Sequence, residues 1–473
     1  MSKTKRVKAG ADPAADRNSA PTSDVLRFEV PYAASSPRLI SPTLGLASLV
    51  PGPDPTASYT IDVTLLDSPD HRLIRCGVLL AHRVRDGMGE WYLSAHGWEP
   101  HLGGQQIEPM GQGDLPEHFA DLVRPFRRIG PLGPVAALTA ERRESMFQDV
   151  SGSRLARVRD ERVTIRRGGL TTARFREVTV TPVGRGLDEA QRSFLTHTLT
   201  RLGASPVETF APLVQRLGAP ANGRSDYPAP RPLDDDGTVS GWSANLIATR
   251  LRAVIEADLS IRQGDATRVT SLLRAAGRLR GELAGLADLL DRTWLEDIDE
   301  ELDWLLTTPA EDLAHRLRGE RYLTLLEQLV TAARGPQIGA VAGERAKPAL
   351  RSLLAEALDG LTARAHSASV EASNAEWQVL ARALQKVLDV GSVSVHLNPK
   401  PVRRIRDRLL PLRELLTQCT GEELDGLVTT AYASSGAEAF ELGRRYEREL
   451  SDRLHHRRDW LDQWGRQSAK LSA

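Results

Sequence analysis

The stretch Ala219-Pro-Ala-Asn-Gly-Arg-Ser-Asp-Tyr-Pro-Ala-Pro-Arg-Pro-Leu-Asp-Asp-Asp-Gly-Thr238 decides how the rest of the chain is read. Four prolines, two glycines and the run Asp234, Asp235 and Asp236 leave one aromatic, Tyr227, and no apolar periodicity, which is the composition of a linker. On its N-terminal side, short β-favouring runs at Leu26–Val30, Tyr59–Leu66, Trp91–Leu93, Arg162–Arg166 and Arg174–Val180 alternate with Pro/Gly turns, as in an antiparallel sheet. Asp188–Leu202 and Val207–Leu217 then show helical spacing and close that half. On its C-terminal side every periodic segment is helical: Leu246–Ile261, Val269–Leu290, Leu295–Leu306, Ala310–Ala333, Ala349–Ala365, Ala375–Val390, Val402–Leu416 and Ala437–Trp464. The expected fold class is α+β, with a sheet domain over 24–218, a linker over 219–241 and an all-α domain over 242–473.

At 473 residues the chain exceeds what one hydrophobic core spans, in keeping with that division. Lys plus Arg and Asp plus Glu both total 62, so no global field drives the chain onto nucleic acid or acidic membranes, and any anion site has to be local. Residues 1–23 carry five Lys/Arg against Asp12 and Asp16 with no apolar run of signal-peptide length, which reads as a disordered basic tail. No uncharged stretch reaches the ~18 residues of a membrane span. Cys76 and Cys419 stand far apart and frame neither a disulfide scaffold nor a metal cluster, so the expected location is cytoplasmic. His71, His82, His96 and His101 match no zinc-ligand spacing.

The helical half repeats itself. A shift of 126 residues lays Val269 on Val395, Arg274 on Lys400, Arg278 on Arg404, Arg280 on Arg406 and Leu283 on Leu409, which predicts two related halves. In the second copy His396, Lys400, Arg403 and Asp407 share one helical stripe, Arg404 and Arg408 flank it, and Arg406 is expected to point away. Cationic density of that kind suits a chain of phosphates, because each contact releases counterions and arginine grips two oxygens at once. A solvated face neutralised by acids elsewhere is the competing reading. For Arg274 and Arg278 the acids would come from Asp291–Asp303, which holds seven carboxylates against Arg292 alone.

These segments resemble the CHAD family of helical domains, which bind inorganic polyphosphate through histidines and basic residues. The second copy, His396-Leu-Asn-Pro-Lys400-Pro-Val-Arg403-Arg404-Ile-Arg406, keeps the family's His and basic block but has Pro399 where Arg is usual. The first copy has Thr270 for His, Leu273 for Arg and Gly277 for Arg. The resemblance covers about residues 242 to 465 and implies a polyphosphate grip by His396, Lys400, Arg403, Arg404, Arg274 and Arg278.

The N-terminal half resembles the CYTH family, whose antiparallel strands form a tunnel for a triphosphate and one or two divalent metals. The match rests on Leu66-Asp67-Ser68-Pro69 through Leu80-Ala-His-Arg83, then Thr139-Ala-Glu-Arg142-Arg143, Ala156–Val163 and Phe175–Val180 in family order. It implies a tunnel-forming sheet, anion binding by Arg27, Arg83, Arg85, Arg142 and Arg174, and Mg²⁺ or Mn²⁺ on Asp24 and Glu177. The family's Glu-x-Glu-x-Lys strand is reduced here to Asp24-Val25-Leu26-Arg27-Phe28, and Glu177 is followed by Thr179 rather than a second acid. Phosphoryl-transfer catalysis is almost wholly electrostatic positioning, so such losses argue against turnover. The expectation is a non-catalytic binder of polyphosphate or another phosphoanion that requires no cofactor. The alternatives are residual metal-dependent triphosphate hydrolysis in the tunnel and a scaffold for a protein partner.

Overall fold

The computed structural model describes residues 25–111, 113–420 and 424–471, and the fold there is α+β, an N-terminal antiparallel sheet followed by helices. The tail read over 1–23 and the metal ligand expected at Asp24 lie outside the described residues. The described residues divide into two compact units, one of residues 25–65, 81–90 and 134–218, the other of 66–80, 91–133 and those from 219 on. Gly218 is thus an edge of the division, but 66–80 and 91–133, expected in the sheet domain, belong with the helices.

The strands in chain order are β1 (Leu26–Val30), β2 (Ser48–Pro51), β3 (Tyr59–Asp67), β4 (Leu79–Arg85), β5 (Met88–Ser94), β6 (Gln105–Pro109), β7 (Gly133–Gln148), β8 (Arg154–Arg167), β9 (Leu170–Pro182) and β10 (Ser205–Pro206). The sheet of the first unit runs β10-β1-β9-β8-β7-β3-β4, with β2 on β7. Long strands need sharp turns, and the β8–β9 turn is made by Gly168 and Gly169 at φ 53° and 82°, the left-handed pair that matches the twist of a two-residue hairpin. Alternation sends Phe28, Val30, Val158, Val178 and Val180 to one face, where they pack with Leu195 and Leu199. Those two leucines belong to the helix Glu189–Thr200, which starts in a capping box between Asp188 and Gln191. The helix expected over Val207–Leu217 is only Leu213–Leu217. Pro212 holds an extended N-cap there, and the Val207 N–H is used by the Arg27 carbonyl at 2.9 Å.

In the second unit the long helices are α1 (Val239–Arg262), α2 (Val269–Gly285), α3 (Arg292–Thr307), α4 (Ala310–Arg316), α5 (Glu320–Arg334), α6 (Ala346–Ser367), α7 (Asn374–Ser394), α8 (Pro399–Cys419), α9 (Leu424–Ala433) and α10 (Gly436–Ser468). Local sequence fixes their starts. Thr238 accepts from Gly241 N at 3.1 Å, Asp291 from Trp294 N at 2.9 Å, and Ser373 with Glu376 forms a capping box. The single helix expected over Ala310–Ala333 is two, because Gly319 takes an extended conformation as the N-cap of α5. α9 falls between the periodic segments expected over Val402–Leu416 and Ala437–Trp464.

One core runs through this unit and explains the membership of the early segments: Leu73, Trp98, Phe119 and Phe126 are buried in the same cluster as Ile247, Leu251 and Ile255 of α1. The stretch read as a linker joins it too, since Tyr227 is buried edge-on against Trp98 and Phe126. No helix among the described residues is long and apolar enough to cross a membrane.

Candidate functional site

In the second unit α2, α7 and α8 enclose an arginine-rich cleft of about 420 Å³. Gly285 lets α2 approach α7: a Cβ there would stand 2.2 Å from the Asp389 carbonyl oxygen and 2.6 Å from Val393 Cγ2. The cleft so formed is lined by Arg278 from α2, Asp389 from α7, and Arg403, Arg406 and Arg413 from α8, with Glu282 at its base.

Glu282 organises the floor. It is 3% exposed and receives Arg250 through Nε at 2.5 Å and Nη2 at 2.8 Å, Arg278 Nε at 3.1 Å, and the His396 ring at 3.2 Å. Burial opposes its ionisation, but the His396 hydrogen bond, then Arg250 and Arg278, outweigh that and hold the carboxyl at about 2. Its charge is therefore already committed. Asp389 is the other acid lining the cleft; burial pushes its carboxyl up from the usual range, against a Gln385 hydrogen bond of 2.8 Å and the field of Arg413. Among the described residues, Arg403 and Arg413 are exposed with no carboxylate in ion-pair reach, while Arg406 has the exposed Asp407 at 3.5 Å. Exposed pairs of that kind contribute little.

The expected polyphosphate grip is brought together in part. Arg278 and Arg403 meet in the cleft. His396 lies before α8 and is turned onto Glu282 rather than into a basic stripe. Lys400, Arg404 and Arg274 are exposed, make no ion pair among the described residues, and do not line the cleft. The expectation that Arg406 points away is corrected: it lines the cleft, on the stripe 403, 406, 410, 413. The expected stripe was anchored on His396, which is not part of this helix, and that rotated the assignment. Among the described residues the acidic run after α2 meets that helix at Arg280, which pairs with Asp299 at 2.6 Å and Asp303 at 2.5 Å, and not at Arg274 or Arg278, where the competing reading expects it.

The sheet of the first unit carries the second candidate. Register places Glu29 opposite Glu177, Glu177 opposite Glu161, and Glu161 opposite Arg142, one transverse row on the face away from Phe28 and Val178. Arg27 and Arg159 lie on the same face, flanking Thr179 in the next row. Arg142 pairs with Glu161 at 2.8 Å and, like Arg85, sits over the Tyr59 ring, at 4.9 and 4.4 Å. Arg83 donates to Glu90 at 2.9 Å, and Arg27 to the Glu208 carbonyl at 3.3 Å. Glu177 is bound by Arg216 at 3.1 Å, which also pairs with Glu29. Burial, and then the neighbouring Glu161 and Glu29, push the Glu177 carboxyl above its usual range in spite of Arg216.

Arg174 is a correction. Three residues from Glu177, it falls on the opposite face, over the Tyr32 ring at 5.7 Å, because a strand reverses its face at every step. Glu29, Glu161, Arg159 and Arg216 are not singled out by the sequence; they come together with Glu177 through the register of β1 and β8 on β9 and through Arg216, none of which has a local signal. No group of three or more His, Cys, Asp or Glu among the described residues is placed to hold a metal ion. Glu177, tied to Arg216, does not fit the part of a Mg²⁺ or Mn²⁺ ligand, and no metal-assisted step is derived. Asp67, in the strongest CYTH-like segment, is a structural residue of the second unit: it is buried and accepts the N–H groups of Ser68, Leu73 and Ile74 at 2.6, 2.9 and 2.9 Å.

No family model and no curated protein matches the chain. Among solved structures it is similar to a putative adenylate cyclase from Bacillus halodurans, at 13% identity over 37% of this chain and 98% of that one, with a TM-score of 0.21. It is also similar to a putative adenylyl cyclase from Hippeastrum, described as having a dominant triphosphatase activity, at 14% identity over 40% of this chain and 91% of that one, with a TM-score of 0.20. Likenesses at this level establish nothing about what this chain does.

Proposed function

We propose that the chain binds phosphoanions of the inorganic polyphosphate class in the cleft between α2, α7 and α8, and does not hydrolyse them. The observation that carries the reading is the surplus of arginine there. Four guanidiniums, of Arg278, Arg403, Arg406 and Arg413, line one cleft against two acids, and the charge of one acid, Glu282, is spent on Arg250, Arg278 and His396. An open row of guanidiniums recognises phosphate oxygens in pairs and needs no single fixed geometry, which suits a repeating polyanion. Lys400, Arg404 and Arg274 extend the basic surface beyond the cleft.

Filter binding of long-chain polyphosphate tests it. Arg403, Arg406 and Arg413 replaced together by Ala should weaken binding about tenfold or more, and lower the slope of log affinity against log salt by about 2, three contacts at ~0.7 each. The pair K400A/R404A, outside the cleft, should do less. Equal affinity of the triple variant and the wild type would remove the proposal. The sheet face of the first unit, with its row of Glu29, Glu161 and Glu177, is the place where hydrolysis would occur if it did. We expect no phosphate release from tripolyphosphate with Mg²⁺ or Mn²⁺; release that Glu177→Ala abolishes would overturn the non-catalytic reading.

A further inference from the structure

A second group of arginines in the helical unit is held around one buried acid. Asp226, within the stretch read as a linker, is 1% exposed and accepts from Arg128 at 2.6 Å, from Arg75 at 3.2 Å, and from Arg334. Arg128 also reaches Glu327 at 2.7 Å and Arg75 has Asp70 at 3.5 Å, whereas among the described residues Asp226 is the one acid on Arg334. One carboxylate thus faces three guanidiniums, and Arg334, with 41% of its side chain exposed, has donors left over.

Those donors face a pocket of about 310 Å³, whose rim also carries Arg224 and Arg231. Both are exposed, and among the described residues neither has a carboxylate in ion-pair reach. The floor is of another kind: Gly241, Ala244 and Ala248 of α1 and Ala333 of α5 expose small apolar surface, with Pro228 and Pro336 beside it. Three arginines over a single acid that is already shared three ways leave an unmet demand for negative charge, more than a monoanion supplies. Small apolar surface beside those arginines selects a ligand with a non-polar body, which a chain of phosphates lacks. The first turn of the 24-residue helix α1 borders the pocket through Ser240 and Gly241 and adds the positive end of its dipole.

We propose that this pocket is a binding site for a small phosphomonoester, its phosphate gripped by Arg224, Arg231 and Arg334 and its apolar body seated on Ala244, Ala248 and Ala333. The site is distinct from the α2–α7–α8 cleft and shares no residue with it.

Calorimetric titration of the full chain with phenyl phosphate tests it, with phenol and inorganic phosphate as controls. Saturable binding to one site, about tenfold weaker in R224A/R231A and unchanged in R403A/R406A/R413A, is expected. Phenol should not bind, and inorganic phosphate should bind more weakly than phenyl phosphate. Ala244→Leu, which fills the floor, should weaken phenyl phosphate and leave inorganic phosphate unaffected. No saturation by about 1 mM phenyl phosphate, equal binding by R224A/R231A, or loss of binding only in the cleft variant would overturn the assignment. Equal affinity for phenyl phosphate and inorganic phosphate would overturn the apolar seat.

Discussion

Glu282 and Glu177 are the same residue in two environments, and their carboxyls move in opposite directions. In the helical unit a single glutamate gathers Arg250, Arg278 and His396 and is held at about 2. On the sheet three glutamates stand in one row, two of them share Arg216, and Glu177 is pushed above the usual 4.5. Counting charges along the chain does not separate the two regions, since both are rich in arginine. What separates them is pairing. On the sheet face, transverse register sets arginines beside glutamates, as at Arg142 and Glu161, and the arginines are largely consumed. In the cleft, helix spacing sets Arg403, Arg406 and Arg413 on one stripe with no acid of their own in the same row, so cationic capacity is left for a ligand.

The largest effect in this comparison belongs to Glu282. Its folded-state carboxyl lies below the unfolded value of 4.5, so the stability it contributes is complete above that value and is lost as the pH falls through about 2. A displacement of that size corresponds to about 3 kcal/mol. Glu282→Gln should therefore lower the unfolding free energy of the helical unit by about 3 kcal/mol at pH 7, followed by helical circular dichroism in denaturant, and the difference should shrink between pH 4.5 and about 2. The same variant frees Arg278 and should bind polyphosphate several-fold more tightly. A variant as stable as the wild type at neutral pH would show that Glu282 is not the centre of this network.

Next comes the approach of α2 to α7. Gly285→Ala places a Cβ against the backbone of Asp389, where no flexible side-chain end yields, and should cost about 1–3 kcal/mol while opening the cleft. Unaltered thermal stability would mean that the helices part freely, and the cleft would lose its fixed geometry. The sequence offers no sign of this role. Gly281 sits four residues earlier on α2 with open space around it, and the two glycines differ only in what lies across from them. Local signals were readable: alternation placed β1 at Leu26–Val30, and basic density singled out Arg278 and Arg403. Contacts between distant positions were not. Arg250 and Glu282 are 32 residues apart and His396 is 114 beyond Glu282, so the network that turns His396 away from a ligand has no local signature. Periodicity gives a face only once the helix axis is fixed, and anchoring the stripe on His396 turned Arg406 outward and left out Arg413.

The smallest effect tests the sheet side of the comparison, and its sign is the informative part. Glu177 resists ionisation in the folded state because burial and two neighbouring glutamates outweigh Arg216. A carboxyl raised in the native state costs stability once ionised, and that cost disappears as the pH falls and the group takes up its proton. Glu177→Gln keeps an acceptor for Arg216, which retains Glu29, and removes the like-charge repulsion along the row. The variant should thus be more stable than the wild type at pH 7, with the gain vanishing as the pH falls below the usual 4.5. The contrast with Glu282→Gln, destabilising over the same interval, separates a carboxylate that the fold has supplied with cations from one that it has crowded with acids. Destabilisation by Glu177→Gln at neutral pH would instead mean that Arg216 dominates the row, leaving the sheet face as fully neutralised as the floor of the cleft.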